Sequence, residues 1–219
     1  PPVSDVTTNV ATNITSTDAT LNGTDGPADA SQESFWVSLA PFTTPTSDIP
    51  ADVYSTPVLP GVAANGTFSD PLSLVTTDGI TTGGVPANLP AITPSTTYYY
   101  VAWANVGGTW HPGAVLSFTT LSNVTLLDAA KATAAGLIAA NATESTTPGD
   151  HVVGSLATLT SANTAASATD ADAQAVVDGQ TSTLNSAITA YNAAIVPASD
   201  TTLLDAAKAT AAGLIAANA

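Results

Sequence analysis

The spacing of hydrophobic positions changes partway along the chain. Up to about residue 121 they alternate in short runs, and beyond it they recur every three to four residues. Residues 18–23 (DATLNG) place Ala19 and Leu21 on one face. Residues 34–40 (SFWVSLA) set Phe35, Val37 and Leu39 against Trp36 and Ser38. Residues 98–105 (YYYVAWAN) set Tyr98, Tyr100, Ala102 and Ala104 against Tyr99, Val101 and Trp103, and residues 114–120 (AVLSFTT) bring Leu116 and Phe118 together. A two-residue period marks half-buried antiparallel strands. Leu21, Phe35, Val37, Leu39, Tyr100, Leu116 and Phe118 are therefore expected to share one core. Between Leu39 and Ile92 lies an excursion, residues 41–91, that carries eight prolines. It is expected to hold one or two strands, at 52–59 and 65–75, and long loops.

The second pattern is helical. Val177, Thr181, Leu184, Ile188, Tyr191 and Ile195 follow steps of 4, 3, 4, 3 and 4, a heptad seam on a helix over 172–194. Thr169 or Asp170 is its expected cap and Pro197 its stop. A helix over 126–141 turns Leu127, Ala130, Ala134, Leu137 and Ile138 inward. Pro148-Gly149 breaks the chain, and residues 152–168 resume with Leu156 and Leu159 inward. Three such helices with short connections predict an up-down-up bundle. Residues 202–219 then repeat residues 125–142 letter for letter, TLLDAAKATAAGLIAANA, 77 positions later. A fixed period of this size marks a tandem array. The last segment is thus expected to be the first helix of a second repeat, with Leu203 or Leu204, Leu214 and Ile215 on one stripe. The chain reads as a window on a longer repetitive protein, or as a subunit whose last helix docks on a partner. Strands followed by helices predict separate domains: a β-sandwich over 1–121 with a long insertion at 41–91, a three-helix bundle over 123–197, and a lone helix over 198–219.

Two resemblances sharpen this division. ITPSTTYYYVAWANVGG followed by VLSFTT is similar to the closing strands of fibronectin type III domains, with Ile92, Pro94, Thr96 and Tyr98 in the family's order. The resemblance implies a fibronectin III/Ig-like β-sandwich in which Tyr98 is the tyrosine corner, its hydroxyl bonded to nearby backbone. It is sharp over 92–120, and the excursion departs from it. Residues 125–196 resemble the FIVAR repeats of bacterial cell-surface proteins. The landmarks are a Leu/Ala helix, the turn ATESTTPGD, a second helix, and a third helix from Leu184 to Tyr191. His151 stands where an aromatic often follows the Pro-Gly of that family. Alanine dominates the inward positions, so one bundle of about 75 residues buries little apolar area and gains from stacking on neighbours.

Charge narrows the partners. The chain of 219 residues has 17 acidic residues against two lysines, a net charge of −15. No basic patch exists to neutralise phosphates, so nucleic acid and anionic lipid are not expected partners. The absence of cysteine removes disulfides and thiolate sites. With no methionine, position 1 is read as the start of a processed product or an internal piece. No apolar run reaches the roughly 18 residues a membrane span needs.

The chemistry-bearing residues are few. His111 and His151 lie in different predicted domains, so no zinc site or Ser-His-Asp triad is expected. His111 belongs to a WHPG turn and His151 to a turn near a helix start. Asp170 and Asp172 are read as capping charges. Asp25 with Asp29, and Asp70 with Asp78, sit in loops without the D-x-D-x-D-G spacing of a calcium loop. Lys131 and Lys208 occupy the same repeat position and are read as solvent-facing; with no lysine before Lys131, an isopeptide bond within the β domain is excluded. Asn13, Asn22, Asn65, Asn123 and Asn141 begin N-x-Ser/Thr sequons and are the candidate glycosylation sites. The aromatics are the strongest binding signal. Trp36, Tyr99 and Trp103 should share the outer face of one sheet, with Trp110 close by. This face either is covered by the excursion or the helices, or meets a partner protein or a glycan.

These readings favour a non-catalytic spacer or assembly module of a large bacterial cell-surface or secreted repeat protein, with neither metal nor cofactor. Its partners would be further copies, neighbouring repeats, glycans or cell-surface proteins. A carbohydrate-binding accessory region of a secreted polysaccharide-degrading enzyme, and an extracellular filament subunit assembled head to tail through its last helix, are the competing classes.

Overall fold

The computed structural model describes residues 6–43, 53–72, 81–82, 85–86, 91–198 and 202–217. The chain divides into two compact units, Pro1–Val124 with Ala168–Val177, and Thr125–Ser167 with Asp178–Ala219.

The first unit is built from strands. β1 (Thr7–Thr12), β2 (Thr20–Thr24) and β6 (Thr67–Pro71) form an antiparallel sheet in the order β1-β2-β6. The second sheet centres on β3 (Gln32–Ser38) and β9 (Thr97–Val106), which pair antiparallel from Gln32↔Asn105 to Ser38↔Tyr99. On its outer edge β3 carries β4 (Val53–Ser55) and β5 (Leu59–Pro60). The other edge of β9 carries β10 (Thr109–Pro112) and β11 (Leu116–Thr119) in succession. β7 (Thr81–Thr82) and β8 (Val85–Pro86) form a separate two-stranded pair. The β9–β10 turn uses Gly107 and Gly108 at φ 60° and 86°, the backbone a two-residue hairpin asks for. The excursion thus supplies β4, β5 and β6 near the two predicted strands. Asp52, the 73–75 end of the second prediction, and Asp78 lie outside the described residues.

Both sheets feed one core. Leu21 and Phe68 from the first sheet, with Ala19 just before β2, meet Phe35, Val37, Tyr98, Tyr100 and Phe118 from the second. Leu116 is half-buried against it. Leu39 departs from expectation, at 46% exposed. β3 ends at Ser38, so the alternation that carried Phe35 and Val37 inward stops one residue short of it. Tyr100 is fully buried and donates its hydroxyl to the Asn9 carbonyl at 2.6 Å, tying β9 to β1. Burial pushes that phenol up to about 12, against a backbone hydrogen bond from Ala11.

Residues 168–177 belong to this unit through local bonds. Ser122 donates its N–H to the Asp170 carbonyl and its hydroxyl to the Asp172 carbonyl. Asn123 donates its N–H to Gln174 Oε1 at 2.7 Å.

The second unit is helical: α1 (Thr125–Ala140), α2 (Ser155–Ala165), most of α3 (Gln174–Ala193) and α4 (Thr202–Ala217). Between α1 and α2, β12 (Glu144–Ser145) pairs parallel with β13 (His151–Val152). α1 lies against α2 and buries Leu127, Ala130 and Ala134. Leu159 of α2 and Leu184, Ile188 and Tyr191 of α3 are buried as well. Leu137, Ile138 and Leu156 are half-buried. Ile195 is exposed, because α3 ends at Ala193 and no longer holds it on the seam. Asn141, at φ 44°, ends α1 in the left-handed conformation that Asn tolerates better than most residues.

The start of α3 also differs from expectation. Thr169 donates its N–H and its hydroxyl to Asp172 Oδ2, closing a turn on itself. The helix begins only at Gln174, so neither Thr169 nor Asp170 is its cap.

Candidate functional site

The outer face of the β3–β9 sheet carries the aromatics. Trp36 pairs in register with Val101, which sets it diagonally next to Trp103 on the same face. The two indole rings lie 4.2 Å apart between centroids, tilted by 36°. With Val53 and Val101 they form a second apolar cluster, flanked by the half-buried Phe42 and Val115. Phe42 and Val53 come from the excursion, so this proline-rich stretch contributes to the cover of the sheet. Trp36 is 8% exposed and Trp103 4%. Trp103 Nε1 has no hydrogen-bond partner among the described residues. Tyr99 is half-buried opposite Ser38, and Trp110 on β10 is 37% exposed opposite Asn105. The four aromatics thus share one face of the sheet, but Trp36 and Trp103 are core residues and Tyr99 and Trp110 stand toward opposite ends of β9.

A polar grouping sits at the loop end of the same unit, where the sequence singled out Asp25 and Asp29 as loop carboxylates and gave no role to Glu33. Glu33 shares the inward face with Phe35 and Val37 and is fully buried. Its Oε1 accepts the Val62 N–H at 2.6 Å, and its Oε2 has no partner among the described residues. Desolvation raises the Glu33 carboxyl above its ordinary value of 4.5; the Val62 N–H opposes this and the charge of Asp25 adds to it. Asp25 is buried, with Oδ1 accepting the Gly26 N–H at 2.9 Å. Asp29 Oδ1 accepts the Ala64 N–H at 2.8 Å. Asn65 and Gly66 close the arrangement through backbone bonds to Gly26 and Asp25. Asp29 and Glu33 are therefore spent on orienting the 61–66 loop, a contact across some thirty residues that alternation in β3 gave no reason to expect.

In the helical unit, Glu144 acts as a remote cap. Its carboxylate accepts the N–H groups of Gly154 and Leu156 and the hydroxyl of Ser155, at the start of α2. Those donors hold its carboxyl below the usual 4.5, Leu156 contributing most. His151 is not a simple turn residue: its ring stacks on Tyr191 at 4.2 Å and 16°. The imidazole is thereby packed against α3. Lys131 is not simply solvent-facing either. Its Nζ donates to the Ala166 carbonyl at 2.8 Å, at the C-terminal cap of α2.

The sequon asparagines fall into structural roles. Asn13 and Asn65 hold turns at φ 50° and 59°, as Asn141 does after α1. Asn22 spends its amide on the Val10 and Thr20 carbonyls and the Thr12 hydroxyl. Asn13, Asn65, Asn123 and Asn141 are exposed. Among the described residues no group of three or more His, Asp or Glu side chains is placed to hold a metal ion. Among them, too, no helix is long and apolar enough to cross a membrane.

No family model matches the chain. No curated protein matches it either. Among solved structures it is similar to the sensor domain of the anti-sigma factor RsgI4 in Pseudobacteroides cellulosolvens. A shorter form of that domain is 16% identical, over 55% of this chain and 96% of that one, with a TM-score of 0.34. A longer form is 17% identical, over 55% and 92%, also at 0.34. At that TM-score the likeness decides neither the fold nor the function of this chain.

Proposed function

We propose that the chain is a non-catalytic spacer or assembly module of a bacterial cell-surface or secreted repeat protein. In this reading the first unit is a fibronectin III-like sandwich. The order β1-β2-β6 against β4/β5-β3-β9-β10/β11 agrees with it, as does the tyrosine-corner bond of Tyr98. The second unit is the FIVAR-like bundle followed by the first helix of another. The observation that carries the reading is the repeated helix. One copy, α1, is packed, and its identical twin α4 presents the same residues to solvent. A helix repeated letter for letter at a fixed offset of 77 residues suits units that stack into length.

The carbohydrate-binding reading draws less support, because the two tryptophans best placed to form a platform are enclosed by Phe42, Val53 and Val115. Only Trp110 and part of Tyr99 remain for a sugar ring. Tryptophan emission under titration with soluble polysaccharides tests the choice. A spacer gives no saturable change, and iodide quenches the Trp110 fraction alone. A saturable response that Trp110→Ala removes would overturn the spacer reading in favour of glycan binding.

A further inference from the structure

We propose that Glu33 and Asp25 hold a divalent cation of the calcium class at the loop end of the first unit, where β3 meets the 61–66 loop. The site goes beyond the spacer reading and does not depend on it.

Two carboxylates are buried there, each with one oxygen left over. Glu33 is fully buried and Asp25 is 2% exposed. Glu33 Oε1 accepts the Val62 N–H, and Asp25 Oδ1 accepts the Gly26 N–H. The second oxygens, Glu33 Oε2 and Asp25 Oδ2, are shielded from solvent and have no hydrogen-bond partner among the described residues. One loop fastens both residues. Val62 holds Glu33, while the Gly66 carbonyl accepts the Asp25 N–H and Asn65 donates its N–H to the Gly26 carbonyl. Asp29, on the same turn, is exposed and committed through Oδ1 to the Ala64 N–H.

Buried charge persists only where something neutralises it. The first unit has no lysine or arginine to do so, since the chain has no arginine and no lysine precedes Lys131. Lys131 itself is committed to the Ala166 carbonyl. His111 shares the Glu33 face, two strands away across Ala104, and reaches neither free oxygen. In the metal-free unit the cost falls on the Glu33 carboxyl, which burial raises against the Val62 N–H, with the Asp25 charge adding to it. A proton on Oε2 would cancel one charge, yet its O–H would have no acceptor and Asp25 would stay as it is. A bridging water neutralises neither group. A divalent cation meets both needs, because two carboxylates carry the charge it balances. Calcium suits the place better than magnesium. It takes carboxylate, carbonyl and water oxygens in irregular arrangements, whereas magnesium demands a near-ideal octahedron. With only two carboxylates, backbone carbonyls and water complete its shell, and the Kd belongs at the weak end of the range, roughly 0.1–1 mM.

Thermal unfolding of the full chain at neutral pH, followed by tryptophan emission, tests the site. Relative to the chain stripped with EGTA, calcium chloride at about 10 mM should raise the first unit's midpoint by roughly 5 °C and leave the helical transition in place. Calorimetric titration should show one calcium per chain. Magnesium chloride at the same concentration should give less than half the shift. Glu33→Gln and Asp25→Asn keep an oxygen for the backbone N–H groups, and each should abolish both the shift and the titration heat. If Glu33→Gln does not fold, Asp25→Asn decides. Asp128→Asn, at an exposed position of α1, removes the same charge elsewhere and should match the parent chain. The inference is overturned if stripped and calcium-loaded chains unfold together with no saturable heat, since a proton or a water then serves the pair. It is overturned as well if magnesium matches calcium, which is screening of the net charge of −15, or if the response survives in the folded variants. The glycan titration decides the spacer reading separately.

Discussion

The Tyr98 hydroxyl accepts the backbone N–H of Thr93, five residues upstream, at 3.0 Å. Tyr98 is buried and stacks on Phe118 at 5.5 Å between centroids. The bond fastens the segment entering β9 to the strand it feeds, and the Thr93 hydroxyl lies 3.4 Å from the same oxygen. Tyr98→Phe keeps the ring contacts and orphans the Thr93 N–H. It should cost the first unit about 1 kcal/mol, one net hydrogen bond. Urea unfolding followed by tryptophan emission, which reports Trp36 and Trp103 in that unit, measures it. A loss below the error of the fit would show that water replaces the hydroxyl at no cost.

Gly23 stands directly opposite Phe68 in the β2–β6 pairing, and the ring lies over the bare Cα. A Cβ at Gly23 would meet Phe68 Cζ at 2.4 Å. Phe68 is buried and rests on Phe35 at 5.2 Å, so the ring has little room to retreat. Gly23→Ala should destabilise the first unit by roughly 1–3 kcal/mol through overpacking. Adding Phe68→Leu should recover part of that loss, so the two changes should be non-additive in a double-mutant cycle. Strict additivity would place the strain elsewhere.

How far the sequence could be read follows from the range of the interactions. Alternation in β2, β3, β9 and β11 is a local signal, and it placed Leu21, Phe35, Val37, Tyr98, Tyr100 and Phe118 in one core correctly. It misplaced Leu39 because periodicity does not say where a strand stops. The Trp36–Trp103 contact was legible for the same local reason, whereas the cover from Phe42 and Val53 depended on where a proline-rich segment returns. The roles of Glu33 and Glu144 were hidden, since each carboxylate meets a backbone N–H supplied by a distant loop or turn. Lys131 is the clearest case. Sequence alone cannot separate it from Lys208, yet the former bonds the Ala166 carbonyl while the latter stands exposed. Two identical helices with different burial show that local sequence sets the stripe and tertiary context decides whether it is used.

Glu33 and Glu144 should give the two units opposite responses to pH. Burial raises the folded-state value of Glu33 above 4.5, so the folded first unit binds more protons than the unfolded chain just above that pH. Its contribution to stability is full below 4.5 and is lost as pH rises through the folded value. For Glu144 the folded-state value is lowered by the N–H groups of Leu156 and Gly154. Its contribution is full above 4.5 and is lost as pH falls through the folded value. Thermal unfolding between pH 3 and pH 8, followed by tryptophan emission for the first unit and by helical circular dichroism for the second, separates the two. Glu33→Gln should flatten the decline of the first unit above pH 4.5 and leave the helical transition unchanged. Glu144→Gln should lower the helical midpoint at neutral pH and shrink its fall in acid. If Glu33→Gln leaves the first unit's pH profile unaltered, the buried carboxyl is not the group that titrates. If Glu144→Gln behaves as the parent chain does, the carboxylate adds nothing to the start of α2 beyond what an amide oxygen supplies.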